Sequence, residues 1–549
     1  MTALALLLLL ISRQVPQTPP QTSTRFAIAG VVVDAVTGAP VPRAEVSIFV
    51  ETDELKITGA DNGRFQFQNL PPGKYPLFAE AHGYVRESLD QHGPYATAVA
   101  VGTGLDSEHV VFRLHPQAVI YGRVSDEHGE AVRHAIVQLF SRPSAGSSRP
   151  GFGQNQAQTD DLGEFRFAHL LPGKYFAVVQ AQPWYAQTGF RGQTDASQNF
   201  SGLGRARSTV DPSLDIVYPP TFYPGVFNER SATELEVAAG GQVQANIQMQ
   251  AVPSVHVVVT NLPIEQDNTN GVNISATQKA FGSVNLGMSV AFAQIAPGEY
   301  EVAGLPPGEI TFVVGAGGIR QDQRRTFSVN VSDGNTIDTA ATSGPGANLS
   351  GRVILPNAAE HFEQGVMTLV GEGNRVFHAK IQKDGSFSFL SLQAGTYKPG
   401  ARIPPGRKYV QRISATGARV QGREITLDGG HDAQLLVTLA SGVAQLAGLA
   451  QLDSKPKSGA LILLEPESRE NFDDDIRMDQ SDSDGTFALS NIVPGKYFLM
   501  AIEGGWDLDW ADAAVLRPFH DHAQVMQIAP DDSIKVTLAV QRPMKDVPR

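Results

Sequence analysis

Gly63-Arg64-Phe65-Gln66-Phe67-Gln68-Asn69-Leu70-Pro71-Pro72-Gly73-Lys74-Tyr75 is the stretch on which the reading of this 549-residue chain turns. Its two phenylalanines stand two residues apart, so both point to one face of a strand. Polar residues sit between and after them, which makes one face buried and the other wet. Asn62-Gly63 ahead of the strand is a hairpin signal, because such turns need positive φ. Pro72-Gly73 fits a type II turn with positive φ at Gly73. A second strand follows at once, from Tyr75 to Ala79.

The same offsets recur along the chain. They return at Gly163, Phe165, Phe167, Leu170, Gly173 and Tyr175, and again at Gly385, Phe387, Phe389, Leu392, Gly395 and Tyr397. A further copy is Gly485, Phe487, Leu489, Ile492, Gly495 and Tyr497. A divergent copy reads Gly298, Tyr300, Val302, Leu305, Gly308 and Ile310. A register ending at Gly298 and Tyr300 also fits there, but the first one keeps a Leu-Pro-Pro-Gly turn, as at Leu70 to Gly73. Four of the copies follow a short opening strand containing a glycine: Gly30, Gly122, Gly351 and Gly448. The closing segments read as alternating strands about a polar turn, such as Glu424 to Leu427 with Leu435 to Leu439. Helical periodicity is almost absent. The pattern predicts an all-β chain, a tandem array of about five antiparallel β-sandwich domains. The expected divisions are a signal-like segment and linker at 1–24, then repeats at 25–116, 117–251, 252–345, 346–441 and 442–549. Ser141 to Gln158 and Ala186 to Thr209 are expected to be surface loops.

Hydrophobic residues make up 42% of the chain and charged residues 18%, enough apolar side chain for real cores. A formal charge of −13 would be repelled by a phosphate backbone, so nucleic acid is not expected as a partner. There is no cysteine, which excludes disulfides, thiolate metal sites and cysteine nucleophiles. Leu4 to Ile11 is an apolar run too short to span a bilayer and suited to a secretory signal peptide, although no Lys or Arg precedes it. The expected location is therefore extracytoplasmic. No later segment is long and apolar enough for a membrane span.

Asp34, Pro40, Val41, Ala44 and Val46 lead into the first motif; Asp126, Val132, Ala135 and Val137 lead into the second. With the motif, these residues resemble the carboxypeptidase regulatory-like family. The resemblance implies a prealbumin-like sandwich, within a wider group of carbohydrate-binding-like folds, and a module without catalytic residues. Gly73 to Tyr75 through Ala81 to Tyr84 is also similar to collagen-adhesin B-type repeats. That likeness would place Glu80 beside an internal Lys–Asn isopeptide bond, but the opening strand Val31-Val32-Val33-Asp34 has no lysine.

Enzymatic motifs are missing. None of the 13 histidines has Glu three residues later, so neither a His-x-x-Glu zinc pair nor HExxH is present. No Gly-x-Ser-x-Gly elbow or P-loop occurs. Asp473, Asp474, Asp475, Asp479, Asp482 and Asp484 approach a calcium loop, but Gln480 and Asn491 stand where carboxylates belong. They read as a solvated acidic hairpin, and no metal or cofactor is expected. His520 and His522 read as surface histidines on a strand. The binding candidates are Trp506, Asp507, Asp509 and Trp510, with Trp184 and Tyr185. Sugars stack on aromatic rings while carboxylates accept their hydroxyl protons; the alternative is that these rings plug the sandwich ends. The expected function is a non-catalytic exported scaffold, engaging a polysaccharide or another surface protein, or else a purely structural spacer. Short linkers would make it an extended rod.

Overall fold

The computed structural model describes residues 25–543 apart from 142–150, 188–210, 262–271, 282–283, 297, 317–324, 333, 340–345, 358–361, 363, 373–374, 405–407 and 511. The signal-like segment, its linker and most of the second expected loop lie outside the described residues.

Alternation of apolar and polar residues makes the motif a strand, and the strand buries its aromatic face between two sheets. In repeat 1 one sheet sets Arg64–Leu70, Phe26–Asp34 and Val110–Leu114 side by side. The other sets Asp53–Thr58, Glu45–Val50 and Gly73–Glu80 side by side, with Glu87–Ser88 and Ala98–Val101 on Gly73–Glu80. Ile28, Ile48, Phe65, Phe67, Tyr75 and Phe112 pack between them. The motif strand lies on the opening strand in every repeat. Five separate apolar clusters result, one per repeat. The chain is mostly β, and the tandem sandwich architecture holds.

The divergent repeat 3 keeps the first of the two registers. Val255, Val257 and Val259 face Leu305, Val302 and Tyr300 there, as Phe26, Ile28 and Gly30 face Leu70, Phe67 and Phe65 in repeat 1. Even the backbone irregularity repeats: Gly304 has φ 82° where Asn69 has 62°.

The ladders are antiparallel except where opening and closing strands meet, which run parallel, and at Ala501 beside Val540. The closing strands are not hairpins. Glu424–Leu427 lies on Gly395–Arg402 in one sheet, while Ala433–Ala440 lies on Ala347–Ile354 in the other. The turn between them crosses from sheet to sheet, and two half-buried strands alternate alike in either arrangement.

Three local expectations are corrected. The motif's first glycine is left-handed as read (φ 75° at Gly63 and Gly163), but its turn closes no hairpin, because Asp53–Thr58 pairs with Glu45–Val50 and Arg64–Leu70 with Phe26–Asp34 in the other sheet; Gly73, Gly173 and Gly495 are not left-handed. The left-handed residues of those three repeats are Asn69, His169 and Asn491, just before the Pro-Gly segment. The first expected loop contains a strand, Gly151–Gln158, paired with Ile136–Ser141. His520 lies on a helix, Ala513–His520, capped by Asp512, whose carboxylate accepts Ala514 N–H at 2.8 Å. Val515, Leu516 and Phe519 turn that helix onto the outer face of repeat 5. His520 there hydrogen-bonds the buried Glu465 at 2.7 Å.

The repeats also touch one another. Phe281 of repeat 3 sits among Phe140, Phe176 and Phe222 of repeat 2, with ring centroids 4.9–5.7 Å apart. His256 bridges the same junction, 2.8 Å from Asp215 in repeat 2 and 2.9 Å from Glu301 in repeat 3. Repeats 4 and 5 are tied by Lys398 to Asp474 and by Arg423 to Asp475 at 2.7 Å. Repeat 1 meets repeat 5, so the array closes on itself and is not an extended rod.

Candidate functional site

The repeat 1–repeat 5 contact gathers much of the chemistry singled out from the sequence. Its centre is the Asp-x-x-Gly turn before the fifth motif strand. Asp482 N–H donates to Thr486 O, and Gly485 N–H donates to Asp482 O, both at 2.8 Å. That geometry recurs at Ala60 to Arg64, Asp160 to Glu164 and Gln382 to Ser386. In repeat 5 the turn reaches the edge strand Ala98–Val101 of repeat 1. Asp482 Oδ1 accepts Ala98 N–H at 2.9 Å, Ser483 N–H donates to Ala98 O at 3.0 Å, and Ser483 Oγ accepts Ala100 N–H at 2.8 Å. Lys74 pairs with the other oxygen of Asp482.

Gln480 is 1% exposed and fully engaged there. Its Nε2 donates to Asp90 O at 2.7 Å and to Thr97 Oγ1 at 2.9 Å, and its Oε1 lies 2.9 Å from His92 Nδ1. Burying such an amide without these partners would be unfavourable. Burial pushes the carboxyls of Asp90 and Asp479 up from the ordinary carboxylate value. The acidic run is thus not a solvated hairpin: Asp474, Asp475 and Asp482 join repeats.

Trp506 belongs to this contact. His92 stacks on it at 5.1 Å with an interplanar angle of 9°, and Tyr95 tilts against it at 5.2 Å. Its Nε1 donates to Gly459 O at 3.4 Å. Trp510 is 9% exposed, in the apolar layer with Leu461, Leu508 and Leu516. Asp507 and Asp509 are exposed. The stretch is therefore split, with Trp510 and Leu508 turned inward and two carboxylates left at the surface.

Trp184 and Tyr185 form a different place. Trp184 is 78% exposed and stands edge-on to Tyr185, with centroids 5.6 Å apart. Tyr185 donates to Glu127, and Tyr218 reaches the same carboxylate at 3.5 Å. Burial and this carboxylate push the Tyr185 phenol up to about 12. Asp126, Glu127 and His128 bring three potential metal-ligand atoms within 4.8 Å of one another. Their oxygens already serve the fold: Asp126 Oδ1 accepts His128 and Glu130 N–H groups at 2.9 and 2.8 Å. In repeat 1 Asp34 does the same for Val36 and Thr37, and Tyr84 donates to its other oxygen at 3.0 Å. Glu80 faces Glu45 across the sheet, and Lys56 pairs with Glu45 at 2.8 Å.

Nothing in the sequence marks Lys74, Thr97 and Ser483, and Gln480 stands out there only as a departure from a calcium loop. Each is ordinary in its own strand or turn, and only the fold brings them together.

Among the described residues, no helix is long and apolar enough to cross a membrane. No curated protein matches the sequence. Matching solved structures include the TIE protein of Bacillus anthracis, at 12% identity over 78% of this chain and 76% of that one, with a TM-score of 0.17. The minor pilin of Streptococcus agalactiae matches at 16% identity over 37% and 99%, TM-score 0.19. The major pilin subunit of Bacillus cereus matches at 10% over 77% and 99%, TM-score 0.14. Scores this low carry no argument about this chain. The sequence model of the carboxypeptidase regulatory-like domain matches residues 27–113. Residues 27–113 are thus similar to the carboxypeptidase regulatory-like domain family, and the four sandwiches after them repeat the opening-strand and motif-strand pairing of that segment.

Proposed function

We propose that this chain is a non-catalytic exported scaffold that binds polysaccharide through Trp184 and Tyr185. The observation that carries the reading is the open ring of Trp184, 78% exposed, beside the Tyr185–Glu127 pair. A sugar's C–H face can stack on that indole while neighbouring carboxylates accept its hydroxyl protons. Five separate apolar cores supply a rigid support. The test is retention of the intact protein on insoluble polysaccharides. Trp184→Ala should weaken retention about tenfold, as loss of an aromatic hot spot does. Unchanged retention by the variant would remove the site.

The second reading is a structural spacer whose partner is another protein. It is favoured by Trp506, Asp474, Asp475 and Asp482, all of which are engaged in joining repeats. Failure of the wild-type chain to bind any polysaccharide would leave this reading in place.

A further inference from the structure

We propose that the contact between repeats 1 and 5 is an exchangeable joint: the same two surfaces, parted within one chain, bind their counterparts on a second copy of it.

The two surfaces differ from each other and fit each other. A contact of that kind either closes a ring or links copies head to tail. On repeat 1 the surface is a sheet edge. Ala98–Val101 pairs on one side with Gly73 to Pro76. Its other side offers the N–H and C=O of Ala98 and the N–H of Ala100, and repeat 5 meets all three. An uncovered sheet edge recruits another segment, and backbone groups taken from water need partners. On repeat 5 the surface is the Asp482–Gly485 turn with Gln480 and Trp506. The partner that matches both surfaces, including the Lys74–Asp482 charge pair, is the chain itself.

The contact also parts more easily than the junction of repeats 2 and 3. Repeats 2 and 3 share an apolar cluster that includes Phe140, Val178, Phe222 and Leu286. Among the described residues, no apolar cluster spans repeats 1 and 5. What holds them is a set of hydrogen bonds, two ring contacts on Trp506 and one ion pair whose lysine is 44% exposed. Within one chain the second surface is present at high effective concentration, so closure prevails until something disturbs it.

The test uses two charge-reversed full-length chains, Lys74→Asp and Asp482→Lys. Each places like charges in its own contact and should open, giving a larger radius of gyration by small-angle scattering and a monomer mass by sedimentation. Mixed in equal amounts, they carry two charge-matched contacts between copies, one of them without the Ala98 N–H bond that Asp482→Lys removes, and should form a heterodimer. The chain with both substitutions should close again to the wild-type radius, which separates contact loss from unfolding. A mixture that stays monomeric while the double variant recloses would overturn the exchange. Single variants as compact as wild type, or a double variant that stays expanded, would overturn the joint. These readouts are mass and radius, so they leave the polysaccharide reading untouched.

Discussion

Gly122 shows what a single residue decides in this fold. It faces Phe165 across one pair of strands and lies against the parallel closing strand on the other side. A Cβ there would stand 2.1 Å from Ala245 O and 3.0 Å from the Phe165 ring. Gly30, Gly351 and Gly448 are hemmed in likewise, by Val110, Leu435 and Val536 carbonyls and, in the last two, by the motif Phe ring. Gly122→Ala should therefore destabilise repeat 2 by about 2 kcal/mol, the usual scale of overpacking. Gly173→Ala should be neutral or stabilise by up to about 1 kcal/mol, because its backbone is not left-handed and its Cβ would meet only the Tyr175 ring at 3.8 Å. Denaturant midpoints of the two variants check both statements. The importance of Gly122 was visible as a repeated glycine in an opening strand. Its reason was not, because the crowding carbonyl comes from the closing strand, far along the sequence. Gly173 misled because a Pro-Gly pair marks a tight turn without saying which residue adopts the left-handed backbone.

The motif strand and the one after it form the element that defines each repeat, and the motif tyrosine fixes the corner between them. Tyr75 donates to Pro71 O, Tyr175 to Leu171 O, Tyr397 to Gln393 O and Tyr497 to Val493 O, at 2.6–2.8 Å. Burial pushes the Tyr497 phenol up to about 12, so it remains a donor at any physiological pH. Repeat 3 has Ile310 at this place and lacks the corner bond, which fits its weaker motif. Tyr497→Phe keeps the ring and orphans the Val493 carbonyl, so it should destabilise by about 1 kcal/mol. An unchanged melting curve would show that the corner bond adds nothing. Strands and the left-handed glycine before each motif strand were legible because both are coded within a few residues. The helix Ala513–His520 was missed because it is one short element with Pro518 inside it, and its buried Val515, Leu516 and Phe519 make barely one helical repeat.

Over the whole molecule, composition and repetition revealed separate cores but not how they are joined. Ala98 and Asp482 meet although 384 residues separate them, and no local pattern encodes such a meeting. Trp506 illustrates the difficulty: an aromatic flanked by carboxylates serves a sugar site or an interface equally well. His256 gives the joined molecule a pH dependence. Burial alone would lower its pKa, but Glu301 and Asp215 outweigh that and raise it. A group raised in this way stabilises fully below its unfolded value, near about 6.5, and loses its contribution as pH rises through the folded value. His115 on Glu87 acts with the same sign. The melting midpoint should therefore fall as pH rises from about 6.5 through the raised value, and His256→Gln should flatten that slope. An equally steep profile in the variant would exclude the bridge as its source.

The closed array makes its most direct commitment at Ala98 and Ser483, whose backbones are hydrogen-bonded at 3.0 Å across repeats 1 and 5. The chain has no cysteine of its own, so a pair introduced as Ala98→Cys and Ser483→Cys reports on that contact alone. Mild oxidation of the dilute protein should give a monomer with both thiols consumed in an intrachain crosslink. Two thiols that stay free under those conditions would mean that the first and last sandwiches do not meet.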